Sequence, residues 1–280
     1  MPVLRRLLGA IVALSLSAQE DPEALRQRLA LLYQAKNWVA LADAFDGLTP
    51  QQRGRYIGAW IEALEKSGRW ERLLAVCDGI LPQLEGKPSP LSKDLRGRKA
   101  KALSKLGRHS EAARVYESLG DSGDSFCYVI GTDEARLDQD WTAMEDLATK
   151  LLAKNPKDPI ALSVMGEALA REERFAEALP VLRLTVELSP KDSMSWSNLG
   201  RCLNEEKAWT EAVEACNRAI LLDPKLLEPR YNRGRAFFEL KRYEESRDDF
   251  QAALGLKPED PVLKENLRQA ERYLKVSPHR

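Results

Sequence analysis

Tyr231, Arg235 and Phe238 stand at i, i+4 and i+7, so in a helix they share one stripe. Aromatic rings and a guanidinium at that spacing suit recognition rather than bond-making. They offer wide contact area and directed donors, and both residue types concentrate at binding hot spots. Residues able to do covalent chemistry are scattered by comparison. His109 and His279 are the only histidines, and neither stands beside a nucleophile in a catalytic motif. Asp133, Glu134, Asp138 and Asp140 are close in sequence. They lack the alternating carboxylates and the glycine of a calcium loop, and they read as a solvated face. Gly58, Gly131 and Gly234 belong to no phosphate-cradling motif. Cys77, Cys127, Cys202 and Cys216 contain no C-x-x-C pair and are too few for a disulfide framework. With two histidines, a structural zinc site has almost no ligands to draw on. The expectation is no enzyme, no cofactor and no metal.

Charge narrows the partner classes. Lys plus Arg and Asp plus Glu are both 43, so no strong field points toward nucleic acid. The 31% of charged residues read as solvated helix surface. The amino terminus departs from the rest. Arg5 and Arg6 precede an apolar run, Leu7 to Leu16, and the small residues Ser15, Ser17 and Ala18. That order is the layout of a secretory signal peptide over residues 1–18, cut after Ala18 or Ser17. The apolar run is shorter than the roughly 20 residues that span a bilayer, so no integral span is expected once the signal is removed.

The elements behind these residues are helical. An aromatic or imidazole ring recurs at the end of short polar turns: Trp38, Trp70, His109, Trp141, Phe175, Trp209 and Tyr243. The spacings are 32, 39, 32, 34, 34 and 34, which predicts seven helical hairpins, each ring opening a second helix. Asp21-Pro22, Asp158-Pro159 and Asp260-Pro261 are helix starts, because Asp accepts orphan first-turn N–H groups and Pro fits the first helical position. Pro82 to Lys93 contains two further prolines, a glycine and serines, and predicts the loop behind the 39-residue spacing. The second helix of the third hairpin is expected to end at Gly120. Pro261 to Lys275 carries Leu263, Leu267, Ala270 and Leu274 on one stripe with charges elsewhere, as a terminal cap requires.

Trp196 to Pro224 holds the pattern most fully. Trp196, Leu199, Gly200 and Leu203 share one helix face, Ala212, Cys216, Ala219 and Ile220 share another, and Pro224 stops the second helix. This stretch resembles the tetratricopeptide repeat, a 34-residue helix–turn–helix unit with W-x2-L-G-x2-Y, A-x3-F and P. Leu203 replaces the Tyr and Cys216 the Phe, so Cys216 is expected to be a buried apolar filler rather than half of an obligatory bridge. The resemblance implies an all-α, right-handed superhelical solenoid of about seven such hairpins and a capping helix. Its expected organisation is divergent hairpins over 21–124, a repeat array over 125–258 that matches best over 159–258, and a cap and tail over 259–280. The hairpin at 125–156 is the weakest, since Thr132 and Met144 stand where small residues usually pack.

In this family the first helices line a concave groove that binds a partner segment. The matching inward positions are Ser163, Glu167, Ser197, Asn198, Arg201, Asn204, Tyr231, Asn232, Arg235 and Phe238. Asn198, Arg201, Tyr231, Asn232, Arg235 and Phe238 form the expected binding set, with Phe238 able instead to turn into the adjoining helix. The Lys/Asn clamp that one subfamily uses for a C-terminal carboxylate is not matched, since only Asn198 agrees. The expectation is an exported protein, periplasmic or in the cell envelope if bacterial, acting as a scaffold or adaptor for a protein or peptide partner. The alternatives are an accessory subunit of an envelope complex that binds glycan or lipid, and a self-assembling scaffold.

Overall fold

The computed structural model describes residues 21–85 and 89–276. The segment read as a signal lies outside these residues. Among them are sixteen α-helices, one 3₁₀ turn and no strand. Two compact units divide at Leu119 and Gly120.

The first unit holds α1 (Pro22–Gln34), α2 (Trp38–Asp46), α3 (Pro50–Arg55), α4 (Ile57–Lys66), α5 (Trp70–Ile80), α6 (Pro90–Lys105) and most of α7 (His109–Asp121). Leu41, Phe45, Ile61, Leu64, Leu73, Leu95 and Leu103 form its core. Fully burying one such side chain contributes roughly 1.5–3 kcal/mol. The first helix of the second hairpin is broken: Tyr56 sits at φ −120°, ψ 23° and its N–H donates to the Arg53 carbonyl, a three-residue turn between α3 and α4. Thr49 caps α3 reciprocally with Gln52. The loop expected over Pro82 to Lys93 is shorter than the sequence suggests. Leu81–Leu84 wind into a 3₁₀ turn, and Ser89 caps α6 by accepting from the Ser92 N–H, so that Pro90 starts a helix rather than breaking one. Residues 86–88 lie outside the described residues.

The second unit holds α8 (Phe126–Leu137), α9 (Trp141–Lys154), α10 (Pro159–Arg171), α11 (Phe175–Leu188), α12 (Ser193–Glu205), α13 (Trp209–Leu222), α14 (Glu228–Glu239), α15 (Tyr243–Leu256) and α16 (Pro261–Val276). Consecutive helices pack as antiparallel pairs, and the first helices α10, α12 and α14 also touch one another. The weak hairpin forms nonetheless, with Thr132 and Met144 fully buried. Of the acidic group expected on a solvated face, Asp140 caps α9 and Asp133 pairs with Arg136, but Glu134 is buried. The third hairpin's second helix runs to Asp121, one residue beyond the expected stop.

All seven second helices start at the ring residue expected of them. The turn that delivers each ring is one backbone device. Two residues before the ring the chain is left-handed: Lys36, Gly68, Gly107, Gln139, Glu173, Lys207 and Lys241. The next N–H reaches five residues back, as in Asn37 to Leu32, Arg174 to Leu169 and Ala208 to Leu203. That Schellman closure satisfies carbonyls the helix end leaves free. Its hydrogen bonds hold five non-glycine residues in a region that disfavours a Cβ by roughly 1–2 kcal/mol.

Cys77, Cys127, Cys202 and Cys216 are all buried thiols outside any disulfide. Burial pushes the Cys216 and Cys202 thiols up to about 12, and that of Cys77 to about 11, so they stay protonated and apolar in character. Cys216 is the filler expected of it. Gly200 lies directly across from its Sγ, close enough that a Cβ on Gly200 would overlap the sulfur. Gly166 faces Leu182 and Gly234 faces Phe250 in the same way, one repeat before and one after.

Candidate functional site: the inner face of α10, α12 and α14

The helices that carry the expected binding set are fixed at their starts. Asp192 caps α12 by accepting from the Met194 and Ser195 N–H groups. Its other carboxylate oxygen accepts from Ser195 Oγ at 2.5 Å and from Ser163 Oγ at 3.0 Å, which ties α12 to α10. The Trp196 indole donates to the Pro190 carbonyl at 3.0 Å, fixing the entry to α12. Between α12 and α14, Asn204 Nδ2 donates to the Asn232 carbonyl at 2.7 Å from a fully enclosed position. Behind α14, Arg233 makes a two-pronged bond to Asp249 on α15, at 2.7 and 2.6 Å, and donates to Asn217 on α13 at 2.5 Å. The two carboxylate bonds raise the Arg233 pKa, so it is charged at every working pH.

Four of the ten inward positions are occupied by the fold itself. Ser163 is bonded to Asp192 and Ser195, Glu167 is paired with Arg136 at 3.0 Å, Ser197 is buried, and Asn204 is enclosed. They are structural, because a first-helix side chain beside the neighbouring first helix meets that helix before it meets solvent.

The six residues of the expected set divide by what they touch. Asn198 and Asn232 are 9% and 4% exposed, which their polar type did not foretell. Neither side-chain amide has a hydrogen-bond partner among the described residues. Neither is sealed off, since the enclosed unpartnered atoms of the second unit reduce to Asn204 Oδ1. Two amides, one repeat apart, thus stand on the groove floor with donors and acceptors unused. Arg201 lies 5.6 Å over the Phe175 ring and has no carboxylate within ion-pair distance among the described residues. Arg235 pairs with Glu205 at 2.8 Å and lies 5.8 Å over the Tyr231 ring, which in turn leans on Phe250 at 6.1 Å. Phe238 takes the second course open to it: its ring meets Tyr243 at 5.4 Å and Tyr273 at 5.2 Å, both edge-on. Tyr243 and Tyr273 stack at 5.2 Å, which fastens α16 to α15.

An open cleft of about 130 Å³ lies at the end of this face, lined by Arg235, Phe238 and Glu239 from α14, Phe250 from α15, and Asn266 and Gln269 from α16. Sequence reasoning missed it. The one available signal was the 34-residue interval that puts Asn266 after Asn232 and Asn198. Among the described residues no three metal-ligating side chains converge, and no helix is long and apolar enough to cross a membrane.

Helical hairpins with close glycine contacts and an inner face of first helices define a helical repeat protein. Two tetratricopeptide-repeat family models match the chain, one over residues 199–271 and the other over 139–193 and 164–226. Residues 139–271 are tetratricopeptide repeats. Among solved structures, MamA of Desulfovibrio magneticus RS-1 is 19% identical, with 60% of this chain and 97% of that chain covered at a TM-score of 0.52. YrrB, described as a TPR protein with an unusual peptide-binding site, is 21% identical, with 62% and 91% covered at a TM-score of 0.50. At these identities the likeness is one of fold. No curated protein matches the chain.

Proposed function

We propose that this protein is an exported, non-enzymatic adaptor that holds an extended segment of a partner protein along α10, α12 and α14. The observation that carries the reading is the pair of unused amides at Asn198 and Asn232. A nearly buried amide without a partner costs stability unless something completes it, and removing a partner from a buried donor or acceptor costs roughly 1–3 kcal/mol. A peptide backbone offers both the acceptor and the donor that such an amide lacks. First helices in direct contact lie roughly 8–10 Å apart, and an extended chain advances roughly 3.3 Å per residue. The two amides therefore meet every third peptide unit of an extended segment. Arg201, with no carboxylate of its own, favours an acidic side chain beside that backbone.

The double variant Arg201→Ala with Arg235→Ala tests the site. It should keep its helical content and melting point, because both side chains lie at the surface of the groove and the Arg235–Glu205 pair is about one-third exposed and partly solvent-screened. Its affinity for the protein captured by the unaltered chain from its own envelope fraction should fall on the order of 30-fold, the size of a hot-spot loss. Unchanged binding by the folded variant would remove the groove from consideration. Export is tested separately: the intact mass of the protein recovered from its native host should lack about the first 18 residues, as the basic–apolar–small order of 1–18 implies. A mass that includes Met1 or begins at Pro2 in an exported fraction would overturn it.

A further inference from the structure

The cleft between α14 and α16 carries charge that the fold leaves unanswered. Glu239 is exposed and has no cation within ion-pair distance among the described residues. Asn266 adds an amide with no partner there, and Gln269 spends one donor on Glu265 at 3.3 Å, which leaves its carbonyl oxygen to accept. Phe238 and Phe250 close the back of the cleft, but Phe250 is fully buried and the accessible lining is mostly polar. Arg235 at the rim does not make the cleft cationic, since Glu205 neutralises it at 2.8 Å and its guanidinium lies over Tyr231. The cleft lies where α16 packs chiefly on α15 and reaches α14 through side chains such as Tyr273 against Phe238.

An unpaired carboxylate and two amide carbonyls in a mostly polar cleft match one kind of guest: a cation with N–H groups to donate. The carboxylate answers its charge, and the amide oxygens accept its N–H groups. We propose that this cleft is a subsite for a lysine or arginine side chain of the bound segment. The inference rests on the groove reading only for the source of that side chain. It gives the groove a direction, with an acidic side chain of the partner at Arg201 and a basic one at Glu239, about one repeat further on.

The test uses the whole chain and small probes. The side-chain amide signals of Asn266 and Gln269 are followed by NMR during titration with Nα-acetyl-lysine methylamide and Nα-acetyl-arginine methylamide. The norleucine and glutamate methylamides serve as matched controls. The two cationic probes should move both signals along saturable curves. The norleucine probe should bind at least fivefold more weakly, and Glu239→Gln should weaken the cationic probes by a similar factor without altering the melting point. Equal response to lysine and norleucine, no effect of Glu239→Gln, or no movement at the solubility limit would each overturn the subsite. These probes are too short to need Asn198 and Asn232. A silent cleft with partner binding still sensitive to Arg201 and Arg235 would remove the subsite alone, whereas a responsive cleft with insensitive partner binding would remove the groove reading alone.

Discussion

Gly200→Ala lowers the stability of the second unit by roughly 2–3 kcal/mol, the range of an overpacked core. This is the expected result although alanine is the better helix former by about 1 kcal/mol. The added methyl lands on Cys216 Sγ, while the Ala212 carbonyl and the Cys216 N–H at 3.5 Å leave no backbone room to retreat. Cys216 is fully buried and cannot swing outward. The partner change is Cys216→Ala, which removes the atom in conflict. Urea unfolding followed by circular dichroism should place the double variant at or above the Gly200→Ala single variant, a favourable coupling of at least about 1 kcal/mol between touching sites. Simple addition of the two losses would show that the close approach of α12 and α13 is not what selects glycine. Gly97 is the control, since it lies mid-helix in α6 with nothing within 4 Å, and alanine there should stabilise.

The second large effect is expected at Arg233. Asp249 is only 6% exposed, and its carboxylate is met by both prongs of the Arg233 guanidinium. Arg233→Ala strands that carboxylate, and breaking a buried pair from one side costs about 3 kcal/mol or more. Replacing both partners, Arg233→Met with Asp249→Leu, should cost clearly less than Arg233→Ala, because no charge is left uncompensated. Arg233 also reaches Asn217 on α13, so it sets how α14 sits against the preceding hairpin. The apolar pair should therefore restore the melting point before it restores partner binding. A single variant as stable as the unaltered chain would show that water reaches Asp249 and that the pair is ornamental.

Much of the fold was legible because its determinants are local. A ring opening each second helix, Asp-Pro at first turns and small residues at one-repeat intervals are all short-range signals, and the structure places a helix start at every ring from Trp38 to Tyr243. The left-handed turn residues were illegible at Lys36, Gln139, Glu173, Lys207 and Lys241, since nothing in a lysine or glutamate announces positive φ. There the closing hydrogen bonds decide, not the side chain. Pro180 inside α11 escaped notice for a related reason: it is exposed, so the carbonyl it leaves unpaired faces solvent and the helix continues. The site was legible in outline only. Helical spacing placed Asn198, Arg201, Asn232 and Arg235 on the inner face, but burial of the two asparagines depends on how closely α12 and α14 approach. The cleft depends on how α16 sits against α14 and α15, a tertiary placement that no periodicity encodes.

Among the described residues, the helices that pack closely are neighbours or next neighbours in sequence, as when Lys101 in α6 reaches Glu65 in α4 across 36 positions. No large loop of chain has to close before a contact forms, so the entropy of each step is that of one hairpin meeting the next. A chain of this kind does not need its carboxyl end in hand to begin folding. Each hairpin can settle on the one before it as it emerges, whether from a ribosome or from a secretion channel, and the order of emergence becomes the order of assembly. Asn198, Asn232 and the α16 cleft are then completed last, after the earlier hairpins of the second unit are in place.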